Sequence, residues 1–122
     1  MTATVLIVED DALNLRLFDD MLRSDGYRTR TAQTGAAALT EARTERPDLI
    51  LMDIELAGVC GLAVANTLRA DAGLAKVPVI ALTAHAMRGD EERFRREGCD
   101  GYIAKPVTMR GFLDAVRRYC PA

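Results

Sequence analysis

The chain has 122 residues, a length that suits one compact domain; 49% are apolar and only 5% aromatic, so its core must be aliphatic. Net charge is −2 with no basic run, which argues against a nucleic-acid surface, because that needs clustered Lys and Arg to neutralise phosphates. The apolar runs fall far short of a membrane span and the N-terminus lacks the basic start and long apolar stretch of a secretory signal, so a cytoplasmic chain without membrane insertion is expected.

Strand and helix signals alternate along the chain. Thr4–Glu9 (TVLIVE) is short, apolar and β-branched, and reads as a buried strand. Leu15, Phe18 and Leu22 recur at helical spacing until Gly26 ends the segment. Tyr27–Thr31 reads as a short alternating strand, Thr34 and Gly35 as a turn, and Ala36–Arg46 as an alanine-rich helix stopped by Pro47. Leu49–Asp53 is a buried strand ending in an acid; a loop with Gly58 and Gly61 follows, then a helix over Leu62–Ala72. Pro78 opens the strand Val79–Thr83. Asp90–Glu97 is a helix with acids first and arginines later, matching the helix dipole, and Gly98 caps it. Gly101–Ala104 is a short strand, and Met109, Phe112, Leu113 and Val116 mark a last amphipathic helix. Five βα units without linker or repeat imply a parallel sheet covered on both faces, with residues 1–122 as one domain and no segment left for a second. Cys60, Cys99 and Cys120 are too widely spaced for a zinc pattern and read as reduced thiols filling apolar space.

In open parallel sheets, ligands bind beyond the carboxyl ends of the strands. There the sequence places Glu9, Asp10 and Asp11 after the first strand, Asp53 at the end of the third, Thr83 followed by the small Ala84 at the fourth, and Lys105 with Pro106 after the fifth. Carboxylates beside a lysine suit a hard divalent cation such as magnesium together with a phosphoryl group. A carboxylate can itself be the nucleophile, giving an aspartyl phosphate, while cation and lysine offset charge on the transferring oxygens. Each residue also has an ordinary reading. Asp10 and Asp11 suit a helix start, and for Asp11 alone that is the better reading. Thr83 alone reads as a strand end and Lys105 alone as a solvated lysine. Asp53 resists such a reading, because an unpaired buried charge is costly.

The stretches VLIVEDDALN, PDLILMDIELAGVCG, VPVIALTAHA and GYIAKPV, in this order, resemble the receiver domains of bacterial response regulators over nearly the whole chain. The resemblance implies a flavodoxin-like (βα)5 fold with strand order 2-1-3-4-5. It makes Asp53 the phosphoacceptor, Asp10 and the Glu55 backbone carbonyl ligands of Mg2+ (or Mn2+) with Asp53, and Glu9 a supporting acid. Thr83 becomes the hydroxyl that moves toward the phosphoryl group, Lys105 its partner cation, and Tyr102 the aromatic that follows Thr83. The Lys105–Pro106 bond is implied to be cis. Ala57 stands where the family usually has proline, which puts the rigidity of that loop in question. Glu55 and His85 match positions flanking the path of the attacking water. A protonated His85 paired with Glu55 would close the mouth, so dephosphorylation is expected to quicken as pH rises through the His85 titration.

The implied function is a single-domain response regulator in a two-component phosphorelay, not an enzyme but a phosphoacceptor that assists its own phosphorylation and dephosphorylation. A histidine kinase or histidine phosphotransferase is the implied donor. A downstream protein is the implied target, bound on the face of the fourth helix, fifth strand and last helix near Arg88–Arg96 and Tyr102–Tyr119. Three alternatives compete. A metal-dependent phosphatase of haloacid dehalogenase type wants Asp where Glu55 stands. A flavodoxin-type binder wants a Ser, Thr and Gly loop where Glu9–Asp11 are acidic. A degenerate receiver would lack part of the set Asp10, Asp53, Thr83 and Lys105.

Overall fold

The computed structural model describes residues 2–56, 61–84, 90–96 and 98–121. The elements alternate as β1 (Thr4–Val8), α1 (Ala12–Ser24), β2 (Arg28–Ala32), α2 (Gly35–Thr44), β3 (Leu49–Asp53), α3 (Gly61–Ala70), β4 (Val79–Thr83), α4 (Asp90–Arg96), β5 (Gly101–Ala104) and α5 (Met109–Tyr119). They form one five-stranded parallel sheet in the order β2-β1-β3-β4-β5, as the resemblance implies.

Strand side chains alternate between two aliphatic layers. Leu6, Val8, Ile50, Met52, Val79 and Ala81 face one side and meet Ala38, Ala42, Val64, Ala65, Leu68 and Phe94 from α2, α3 and α4. Val5, Ile7, Leu49, Leu51, Ile80, Leu82 and Ile103 face the other and meet Phe18, Met21, Leu22, Phe112, Leu113 and Val116 from α1 and α5. The Phe18 and Phe112 rings stack there with centroids 5.1 Å apart. A fully buried side chain of this size contributes roughly 1.5–3 kcal/mol, so the central strands β1, β3 and β4, buried along their whole length, dominate the core.

The helix ends follow local chemistry. Asp11 caps α1, its carboxylate accepting from the N–H groups of Leu13 (2.9 Å) and Asn14 (3.4 Å). Gly26 and Gly98 adopt φ of 94° and 104° and close α1 and α4 with paired backbone bonds: Gly26 N to Arg23 O and Tyr27 N to Leu22 O, Gly98 N to Arg95 O and Cys99 N to Phe94 O. Some boundaries differ from those expected. The second strand begins at Arg28 rather than Tyr27, because the Tyr27 N–H still closes α1. The first ends at Val8, although Glu9 N still donates to Ala32 O at 3.0 Å. Helix α2 ends at Thr44 rather than Arg46: Glu45 is already extended, and a residue preceding proline is pushed out of the helical region. Helix α3 runs Gly61–Ala70 rather than Leu62–Ala72, since the Asp71 carboxylate accepts the Gly73 N–H at 3.0 Å and turns the chain.

Gly61 has a steric reason. A Cβ there would overlap the Asp53 carbonyl and lie 2.8 Å from Ile54 Cα, so only glycine lets α3 start against the end of β3. Arg69, in the last turn of α3, is a second anchor. Its Nε donates to Gly98 O at 2.9 Å, its Nη1 to Val77 O at 3.0 Å, and its Nη2 pairs with Asp100, whose carboxylate also accepts the Val79 N–H at 2.8 Å. Cys99 and Cys120 are buried, reduced thiols, as expected, while Cys60 lies outside the described residues.

Candidate functional site

Register builds the site. Val8 lies level with Met52, Asp53 with Leu82, and Thr83 with Ala104, so residues at and just past the strand ends reach one rim. There Glu9, Asp53 and Thr83 are 1%, 2% and 2% exposed, while Asp10 is accessible to solvent. Carboxylate oxygens of Glu9, Asp10 and Asp53 all lie within 4.8 Å of one another. Lys105 Nζ reaches Asp53 Oδ1 at 3.3 Å and Glu9 Oε2 at 3.4 Å. Asp53 Oδ1 also accepts the Glu55 N–H at 3.0 Å, and Glu9 Oε1 accepts from Asn14 Nδ2 at 3.3 Å. The Lys105–Pro106 bond is cis, and Lys105 N donates to Thr83 O at 2.7 Å, tying the two loops together.

The electrostatics follow from burial. Desolvation, a hydrogen bond to Asp53 and the Asp53 charge raise the Glu9 pKa from 4.5 to about 7, against smaller opposing effects of Lys105 and Asn14. For Lys105, burial alone would favour the neutral amine, but Asp53 and Glu9 outweigh it and hold the ammonium charged above its ordinary range. Three acids around one lysine leave excess negative charge. An all-oxygen donor set of this kind, the clustered carboxylates of Glu9, Asp10 and Asp53, fits a hard divalent cation such as Mg2+ or Mn2+.

The remaining expected residues fall as follows. Glu55 is exposed and its Oε1 accepts the Ala84 N–H at 3.2 Å, bridging the loops after β3 and β4. His85, and with it the expected His85–Glu55 pair, lies outside the described residues, as do Ala57 and Arg88. Tyr102 projects outward from β5, 38% exposed, its ring edge-on to Phe94 of α4 at 6.0 Å. Sequence reasoning gave no role to Asn14; the signal was its place three residues after the capping Asp11, which turns it back toward Glu9. It also missed an apolar groove of about 420 Å3 beside the carboxylates, lined by Asn14, Leu17, Phe18, Ala84, Lys105, Pro106 and Val107. Leu17 of its lining is 49% exposed, and Leu13, also on α1, is 81% exposed. A larger polar groove, about 570 Å3, runs along β2 and carries none of the site residues.

A doubly covered parallel sheet with a buried Asp at the rim, a lysine on its oxygen and two further acids defines a phosphoacceptor module. The chain belongs to the response regulator receiver domain family, whose model matches residues 5–117. It is 49% identical over 119 residues to the polar-differentiation response regulator DivK of Brucella ovis, covering 98% of this chain and 97% of that protein, and equally to DivK of Brucella anthropi. Among solved structures it is similar to the receiver domain of the sensor histidine kinase PA1611 of Pseudomonas aeruginosa, a structure with magnesium coordinated in its active-site cleft: TM-score 0.89, 34% identity, all of both chains covered. Vibrio cholerae CheY4 shares the fold, with TM-score 0.92 at 24% identity over 98% of this chain and 99% of that one. Membership sets aside the phosphatase and flavodoxin readings and places the chain in two-component signalling. Among the described residues, no helix is long and apolar enough to cross a membrane.

Proposed function

We propose that the chain is a cytoplasmic, single-domain response regulator that takes a phosphoryl group on Asp53 from a phosphohistidine of a kinase or histidine phosphotransferase, and signals by binding another protein. An Asp53 carboxylate oxygen attacks phosphorus; the P–O bond forms as the P–N bond breaks, and the histidine nitrogen leaves with the electron pair and takes up a proton. Bound Mg2+ would neutralise charge on the phosphoryl oxygens. Lys105 supplies a fixed positive charge on the same oxygens. Glu9, beside Asp53, accepts from the same Lys105 ammonium. Thr83 then turns its hydroxyl to a phosphoryl oxygen. Tyr102 follows it and alters the α4–β5–α5 face, which reads the state out.

The observation that carries this reading is Lys105 Nζ lying 3.3 Å from Asp53 Oδ1 and 3.4 Å from Glu9 Oε2, which pre-positions a cation over the acceptor. The exposed Leu17 in the wall of the 420 Å3 groove offers the donor protein an apolar foothold next to that acceptor. Incubation with acetyl phosphate and magnesium tests the acceptor: intact mass should show one added phosphoryl group in the wild type and none in Asp53→Asn. No adduct on the wild type, or an equal adduct on Asp53→Asn, would overturn the proposal.

A further inference from the structure

Asn14 closes the stretch VLIVEDDALN, yet neither the fold nor the phosphoryl chemistry described above uses it. Asparagine has no intrinsic reason to sit inside a helix, where its side chain competes for backbone hydrogen bonds. Here its backbone is held at the start of α1 by the Asp11 cap, whose Oδ1 accepts the Asn14 N–H at 3.4 Å. That fixes the direction of its side chain, and Asn14 Nδ2 meets Glu9 Oε1 at 3.3 Å. The other Glu9 oxygen, Oε2, accepts from Lys105 Nζ at 3.4 Å. Glu9 is only 1% exposed, so water is a poor substitute for either donor.

From this arrangement we infer that Asn14 is a positioning residue for the divalent-cation site, holding the buried Glu9 carboxylate so that its Oε2 stays on Lys105 while Asp10 and Asp53 are left to the cation. The inference deepens the proposed function and rests on it for the site's purpose, but not for its test. Without the Asn14 amide, Glu9 Oε1 loses its donor in a nearly dry setting. A buried acceptor left unsatisfied is costly, so the carboxylate turns to find another partner. The partners at hand are Lys105 and the cation position itself, and either move changes the charge the cation meets. Residues that orient a metal site through a neighbouring group commonly set its affinity by about 10–100-fold.

The test is a double-mutant cycle on Asn14 and Glu9, read as Mg2+ affinity from NMR or thermal-midpoint titrations of the full chain without phosphodonor. Asn14→Leu keeps the approximate volume and removes the donor; it should weaken Mg2+ binding about tenfold, at the low end of such effects. In a Glu9→Gln background the same substitution should change Mg2+ affinity by less than about twofold, because the group it acts through is gone. Asn14→His, which restores an N–H donor, should recover affinity relative to Asn14→Leu. An unchanged Mg2+ affinity in Asn14→Leu would overturn the inference, and so would an equal loss in both backgrounds. If Asn14→Leu fails to fold, the Asn14→Ala variant decides: it removes the donor without adding charge, and must also shift Mg2+ affinity in the wild-type background but not beside Glu9→Gln. Phosphorylation of the wild type on Asp53 is scored separately, so a failed receiver reading would show there while the cation titrations still judge Asn14.

Discussion

Replacing Glu9 by Gln should remove a pH dependence that the metal-free protein carries. The amide introduced by Glu9→Gln can do what a protonated Glu9 does, donating to Asp53 while its oxygen accepts from Lys105. Burial first, and then the hydrogen bond and charge of Asp53, lift the Glu9 pKa from 4.5 to about 7. At ~1.4 kcal/mol per tenfold change in proton affinity, that amounts to about 3 kcal/mol. The folded pKa lies above the unfolded one, so the native state binds the proton more tightly. The contribution is therefore fully present below pH 4.5 and is lost as pH rises through about 7. Between pH 5 and 8 the wild type should lose roughly 2–3 kcal/mol relative to Glu9→Gln, with the variant gaining the advantage at the alkaline end. Urea unfolding followed by circular dichroism in EDTA, at steps across this range, measures it. With an m-value of about 1–3 kcal/mol/M, the gap between the two midpoints should change by about 1–2 M. Parallel midpoint curves for the two proteins would refute the reasoning.

Other expectations follow from the same geometry. Magnesium at about 100 times its Kd should stabilise the wild type by about 2.7 kcal/mol, seen as a higher melting midpoint, and Asp10→Ala should show much less of this gain. Thr83→Ala should still accept phosphate by mass, but its affinity for a target protein should no longer rise on phosphorylation; a wild-type rise would place the coupling elsewhere. Gly61→Ala should destabilise the fold by about 1–3 kcal/mol in denaturant unfolding, because the new methyl meets the backbone of Asp53 and Ile54 rather than a side chain that can move. Leu17→Asp should slow transfer from a histidine phosphotransferase about tenfold, the effect of ~1.4 kcal/mol, and leave transfer from acetyl phosphate unchanged in the same mass assay.

The central strands were legible because they are short, apolar and bounded by Gly, Pro and acids, and their alternation sorts Leu6 from Ile7 and Ile50 from Leu51 onto opposite faces. The edge strand β2 was placed one residue early, because the Tyr27 N–H still closes α1 and its side chain is buried by a long-range contact, the hydroxyl donating to the Cys120 carbonyl at 2.5 Å. Nothing near Tyr27 in the chain announces that partner. The acids, Thr83 and Lys105 could be named from their places at strand ends, since a parallel sheet brings those ends together. Asn14 could not, because its role depends on which way one amide turns from a capped helix. Arg69 was equally hidden: three of its partners, Val77, Gly98 and Asp100, come from two separate loops.

The stacked pair Phe18 and Phe112 joins a helix near the beginning of the chain to the last one, and Arg117 reinforces the junction by grasping the Asp25 carboxylate with two nitrogens. Along the chain, α1 is made early and α5 only after all five strands. Until α5 is made, Ile7, Leu51, Ile80 and Leu82 have only α1 to cover their side of the sheet. A product stalled before α5 would therefore present that aliphatic surface to chaperones and proteases.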